Sequence, residues 1–174
     1  MEERLKDSKV SNRWTTLLFI IYLIALYYIL LLKLGIRFSY MRERITNFIP
    51  FSEGIIFTSE KIMNVVIFLP LGIYAGILFE RWIFATKLLL FFSLSLFIEA
   101  LQYILRIGAF DVTDLITNTT GAVTGVMLFE GLDKAFNNRC KAQKLINLLA
   151  AASTVIMIVV LVLLKMNRLP IRYQ

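Results

Sequence analysis

Three uncharged apolar runs constrain this chain more than anything else in it. Residues 14–32 pass 19 positions without a charge, residues 62–79 pass 18, and residues 145–164 pass 20. A bilayer core asks for about 20 mostly apolar residues per helix. Composition agrees: 59% of the chain is hydrophobic, against roughly 45–50% in an ordinary soluble domain. Two further segments are weaker. Residues 86–105 are interrupted by Lys87 and Glu99, and the uncharged part of the next segment covers only residues 115–129. That part rises roughly 22 Å at 1.5 Å per residue, short of a core of about 30 Å. Starting the helix at Asp111 restores the length. Asp111 is a good N-cap, and Asp114 then falls at the third helical position, where a carboxylate suits the helix dipole.

The expected fold class is therefore all-α: a polytopic membrane helical bundle of about five transmembrane helices, forming one domain over residues 1–174. A polar loop is expected at residues 131–144. The charged start of the chain resembles the front of a signal peptide, but the run behind it is too long and no small-residue cleavage site follows. An uncleaved first membrane helix is expected.

The net charge of +7 would suggest nucleic acid in a soluble protein. Here Lys and Arg lie mainly between apolar runs, where they anchor helix ends to headgroups, and no nucleic-acid motif is present. With the N-terminus cytoplasmic, ten basic residues fall inside and nine outside, so charge asymmetry does not set the orientation. The chain has no His, which excludes His-based triads and His metal sites. Cys140 is alone and is read as an incidental thiol. No cofactor is expected.

Polar residues are rare within the apolar segments, and they gather. Glu99, Gln102 and Arg106 have the i, i+3, i+7 spacing of one helical face, and Asp111, Asp114 and Asn118 repeat it on the next segment. Gly121 and Gly125 continue the second stripe. Asn64, Phe68, Gly72 and Gly76 form a similar one on residues 62–79, where Pro70 is expected to kink the helix. Small residues four apart let helices approach closely, so these two segments are expected to pack through their glycines with their polar starts side by side. With five spans, the long connection after residue 32 and the turn after residue 105 share one membrane face. Arg37, Arg42, Arg44, Asn47 and Glu53 belong to that face as well. Each polar residue also has a structural alternative: capping for Asp111, dipole compensation for Asp114, a structural pair with Arg106 or a neighbouring helix for Glu99, and interhelical hydrogen bonds for Gln102 and Asn118. Glu99, about five residues inside the helix end, is the one whose place favours function.

Four pieces in order give the chain a recognisable look: N-F-I-P-F (Asn47 to Phe51), N-V-V-I-F-L-P-L-G (Asn64 to Gly72), S-L-F-I-E-A-L-Q-Y (Ser95 to Tyr103) and I-G-A-F-D-V-T-D-L-I-T-N-T-T-G (Ile107 to Gly121). Together they span about residues 47–125. In these the chain resembles the VanZ-like family of bacterial membrane proteins, with Ala122 where the pattern often has a second glycine. The resemblance implies a multi-pass protein of the bacterial cell membrane with a role in low-level resistance to glycopeptide antibiotics such as teicoplanin. It carries no assigned catalytic residues.

The function expected is binding of a membrane-embedded ligand at the outer face, with the N-terminus cytoplasmic. The partner would be a membrane lipid, a lipid-linked cell-wall precursor or the lipoglycopeptide antibiotic. The expected ligand-binding residues are Asn47, Asn64, Glu99, Gln102, Arg106, Asp111, Asp114 and Asn118. Arg37, Arg42, Arg44 and Arg106 would meet phosphate or carboxylate groups. An enzyme is the second expectation, with Glu99 and Asp111 or Asp114 as acid and base on a lipid-linked substrate and Mg²⁺ as an optional helper. A transporter is the third, opposed by the lack of recognisable inverted repeats.

Overall fold

The computed structural model describes residues 2–32, 45–51 and 59–165. Five helices carry the chain: α1 (Glu2–Leu32), α2 (Ser59–Leu78), α3 (Phe84–Leu105), α4 (Val112–Phe136) and α5 (Arg139–Lys165). Three stretches are long and apolar enough to cross a membrane, namely Asn12–Leu30 in α1, Ser59–Leu78 and Phe84–Leu105. Two short strands, β1 (Thr46–Asn47) and β2 (Phe110–Asp111), pair in parallel. The all-α expectation therefore holds.

Side-chain contacts fix the helix directions. Ser95 and Glu99 of α3 meet Asn118 and Asp111 in reverse order, so α3 and α4 are antiparallel. Asn12 and Thr15 of α1 meet Gln143 and Asn147 of α5 in rising order, so these two are parallel. The chain thus alternates direction as a multi-pass bundle must.

The centre of the bundle is the parallel pair α2 and α4, its most extensive helix contact. A Cβ on Gly72 would overlap the Ala122 carbonyl, one on Gly121 the Val65 carbonyl, and one on Gly125 the Leu69 carbonyl. Backbone lies on backbone at these three glycines of the stripes visible in the sequence, while Gly76 faces the Phe129 ring. Phe68, Leu71, Ala75, Phe91, Ala122 and Val126 fill the core around it. α2 runs on through Pro70. Many large apolar side chains face outward instead, among them Ile24, Leu89 and Ile156. A bilayer covers such a surface; water would not.

One boundary expectation fails. Residues 131–144 are not a polar loop: α4 continues to Phe136, and α5 begins at Arg139. Asn137 takes the left-handed conformation that ends a helix (φ 46°), and the Asn138 side chain accepts from the Lys141 amide to start the next. Arg139 then ties this end together. Its guanidinium donates to the Gly76 carbonyl at 2.6 Å, pairs with Asp133 at 3.2 Å and Glu80 at 3.4 Å, and covers the Phe129 ring. Polar composition signalled a loop, but these charges are satisfied on helix surfaces.

The arrangement predicts accessibility. In a Cys140→Ala background, cysteines at Phe51 and Ala109 should label from one side of a sealed vesicle and a cysteine at Asn137 from the other. Labelling of all three from the same side would contradict the alternating bundle.

Candidate functional site

The polar site forms where α1 and α3 end and α2 and α4 begin. Asp111 adopts an extended conformation (φ −121°, ψ 120°), and its Oδ1 accepts from the Thr113 amide at 2.6 Å, an N-cap on α4. Its Oδ2 accepts from Asn47 Nδ2 at 3.1 Å, and its own N–H donates to Glu99 Oε2 at 3.2 Å. One residue thus joins α4, α3 and the segment before α2. The β1–β2 pairing sets this register, placing Asn47 opposite Asp111. Asn47 Oδ1 in turn accepts from the Ile49 amide, and the Phe51 amide donates to Thr113 Oγ1. Phe51 itself is left-handed (φ 55°). The segment's tip stays out, with Phe48 68% and Ile49 69% exposed, as suits an anchor at the bilayer interface.

Inside this frame Asn64 Nδ2 donates to Asp114 Oδ1 at 2.8 Å, so the polar starts of α2 and α4 are side by side. Gln102 Nε2 donates to the Leu30 carbonyl at 3.0 Å, tying the end of α3 to the end of α1. Deeper, Asn118 Nδ2 donates to Ser95 Oγ at 3.0 Å. Glu99 and Asn118 are each only 2% exposed.

These groups enclose a cavity of about 520 Å³. Asn47, Asn64, Glu99, Gln102, Asp111, Asp114 and Asn118 all line it. Arg106 does not. The sequence spacing puts it on the face of Glu99 and Gln102, but α3 stops at Leu105 and Arg106 is its left-handed cap (φ 58°), with an exposed side chain. Helical periodicity cannot be carried past a residue that leaves the helix. Nor does Arg106 form an ion pair with Glu99 among the described residues. Arg37, Arg42, Arg44 and Glu53 lie outside the described residues.

The sequence missed several contributors. Glu60 and Lys61, on the first turn of α2, line the cavity, as does Thr113. Glu60 and Lys61 looked like ordinary charges flanking an apolar run. Ser95 is fully buried as the partner of Asn118, and nothing in the sequence marks it apart from Ser93 on the same helix. The electrostatic outcome differs from expectation. The described walls carry four carboxyl side chains (Glu60, Glu99, Asp111 and Asp114) and one lysine. They lack an arginine for phosphate. Among the described residues no three His, Cys, Asp or Glu side chains are grouped so as to hold a metal ion.

The family model for VanZ/LLP1 matches residues 19–133, which include every residue of this site. The chain belongs to the VanZ/LLP1 family. It is 35% identical over 151 residues to "Protein VanZ" of Enterococcus faecium, covering 84% of this chain and 92% of that one. No solved structure matches it. With its apolar helices, this VanZ/LLP1 member is a membrane protein.

Proposed function

We propose that this chain confers low-level resistance to glycopeptide antibiotics such as teicoplanin by holding a lipid-linked ligand in the polar cavity. The observation that carries the proposal is the convergence of seven expected binding residues on one cavity of about 520 Å³ at a helix-end surface, beside an exposed apolar tip. A cavity of this size suits a headgroup, while the ligand's chain would run along the apolar helix surface. Family membership supports the resistance role. The ligand is a membrane lipid, a lipid-linked cell-wall precursor or the antibiotic itself. The cavity faces outward when the N-terminus is cytoplasmic.

The test pairs binding with phenotype. Mass spectrometry of the purified full chain should detect a specific co-purifying lipid, and Glu99→Gln should lose both that lipid and resistance at an unchanged membrane level. Gln keeps the size and can still accept from the Asp111 amide, so only the charge is removed. Normal resistance in the variant would refute a charged role for Glu99. A second reading, an enzyme on a lipid-linked substrate, draws on the Asp111 amide that holds Glu99 beside the other carboxyl groups. Chemical conversion of the bound lipid, abolished by Glu99→Gln, would favour that reading over simple binding.

A further inference from the structure

A second cavity, of about 290 Å³, lies between α1, α2 and α5. Its origin is local. Residues 150–154 read A-A-A-S-T in a helix otherwise rich in Leu, Ile and Val, and Ala150, Ser153 and Thr154 line the space together with Ala25 of α1. Thr154 spends its hydroxyl on the Ala150 carbonyl at 2.8 Å. Among the described residues no charged side chain lines this cavity. Its lower end is shut on three sides. The Tyr74 ring lies 5.3 Å from that of Phe19 and 5.7 Å from that of Tyr22, closing α2 against α1. Thr15 donates to Asn147, and Gln143 donates to Asn12 and Thr15, closing α1 against α5. Ile73 packs on the cluster that holds Ile146, closing α2 against α5. The upper end lies about one turn from the polar cavity. Ile29 and Ala25 stand one turn apart on α1, and Ile67 and Pro70 about one turn apart on α2. The first of each pair lines the polar cavity and the second lines the apolar one. Tyr22 donates to the Ile67 carbonyl at 2.9 Å where the two adjoin. The cavities therefore stand end to end along the α1–α2 seam.

We infer that the apolar cavity seats the hydrocarbon tail of the ligand whose head occupies the polar one, and that this tail is a single unbranched acyl chain of about ten carbons. The inference rests on the lipid-ligand function proposed above and selects among its ligands. Depth and volume give the same size. From Ile146 to Thr154, α5 rises about 12 Å. A stretched polypeptide gains about 1.2 Å per backbone bond, and a stretched hydrocarbon is similar, so about ten carbons fill that depth. A methylene takes about the room of a water molecule, roughly 30 Å³, so about ten also fill the volume. A bilayer phospholipid brings two chains, each long enough for a leaflet of about 15 Å, and one track closed at this depth takes only part of one of them. A polyprenyl chain is longer still and branched. The lipoglycopeptide, with its single tail, is the ligand that the cavity singles out.

Photo-crosslinking of the full chain in phospholipid nanodiscs tests this. The probe is a glycopeptide that carries a decanoyl tail with a diazirine at its tip. Mass spectrometry should place the crosslink at the closed end, on Ile21, Tyr74 or Ile146, and unlabelled decanoyl glycopeptide should displace it. A hexadecanoyl probe on the same core should not label these residues, because its tip passes beyond the closed end. Ala150→Trp fills the space and should lower the decanoyl crosslink about ten-fold or more, since the tail loses its packed contacts. Leu148→Trp, on the exposed outer side of α5, should leave the crosslink unchanged. If Ala150→Trp does not reach the membrane, the two probes on the unsubstituted chain decide. Equal labelling of the closed end by both tails would overturn the proposal. So would labelling confined to Leu89 or Phe97 on the outer surface of α3, although a probe retained there leaves the lipid-binding function standing. Labelling of the cavity by a diazirine phosphatidylglycerol or polyprenyl phosphate that decanoyl glycopeptide cannot displace would give the space to those lipids and overturn the acyl tail. Retention of none of these probes would remove the lipid-binding function and the tail site together.

Discussion

Gly125→Val should remove the folded chain from the membrane. A Cβ at this position would overlap the Leu69 carbonyl and come within 2.9 Å of the Ile73 amide nitrogen. Both obstacles are backbone, so no rotamer change relieves them. The helices would have to separate along a contact where Gly72 and Gly121 are equally tight. Overpacking a well-filled core costs about 1–3 kcal/mol when side chains can shift. Here they cannot, and the expected loss is about 3 kcal/mol or more, a large part of the total stability of a domain. Size-exclusion profiles and thermal melting of detergent-extracted protein measure it. Gly131→Ala is the matched control. Gly131 lies on the exposed side of α4 with nothing within 4 Å of an added Cβ, so Ala should stabilise the helix by about 0.5–1 kcal/mol. A wild-type melting temperature for Gly125→Val would mean that α2 and α4 are not in contact there.

Asp111→Ala should come next in effect, and Asp111→Asn should not be harmless. By sequence alone Asn replaces Asp as an N-cap at well below about 1 kcal/mol. The structure changes that expectation, because Asp111 uses both oxygens. One caps Thr113 and the other accepts from Asn47 Nδ2. An Asn that keeps the cap turns its own NH₂ toward the NH₂ of Asn47. Asn47 cannot flip without losing the Ile49 amide, which its oxygen accepts. The Asn variant should therefore cost about 1–2 kcal/mol, and the Ala variant, losing cap and bridge together, about 2–3 kcal/mol. Asn47→Asp combined with Asp111→Asn should restore most of the loss by reversing donor and acceptor. Failure of that rescue would show that the two side chains do not bond. Thermal melting of the single and double variants forms the complete cycle.

How much of this was legible in the sequence depended on the range of each interaction. The glycine stripes on α2 and α4 were readable, because a four-residue spacing is a local property and both stripes point along one helix face. So was the Asp111 cap, which is local by nature. Membership of the cavity could be read for Asn64, Glu99 and Asp114, since helix ends with alternating directions bring them to one place. The partner of Asn118 could not be read: Ser95 and Asn118 are 23 residues apart, and neither carries a mark of the other. Nor could the β1–β2 pairing, whose two-residue strands are too short to show any alternation. Arg106 was misplaced because periodicity gives a direction only while the backbone stays helical. The turn at Asn137 and Asn138 was hidden by the charges around it, of which Arg139 and Asp133 pair across the two helices.

The α2–α4 contact also bears on the order in which the chain is built. α4 is not among the helices long and apolar enough to cross a membrane by composition, yet it is the one most closely wrapped by protein. Its threonines, Asn118 and glycines have little to offer lipid and a shaped surface to offer α2. A ribosome delivers α2 and α3 first, as a pair of more apolar segments that a translocon can release sideways on hydrophobicity alone. α4 then enters against a waiting template rather than into bare bilayer. Sequential assembly is the expected order, and a defect in the glycines of α2 should then be felt as failed insertion of a helix synthesised later.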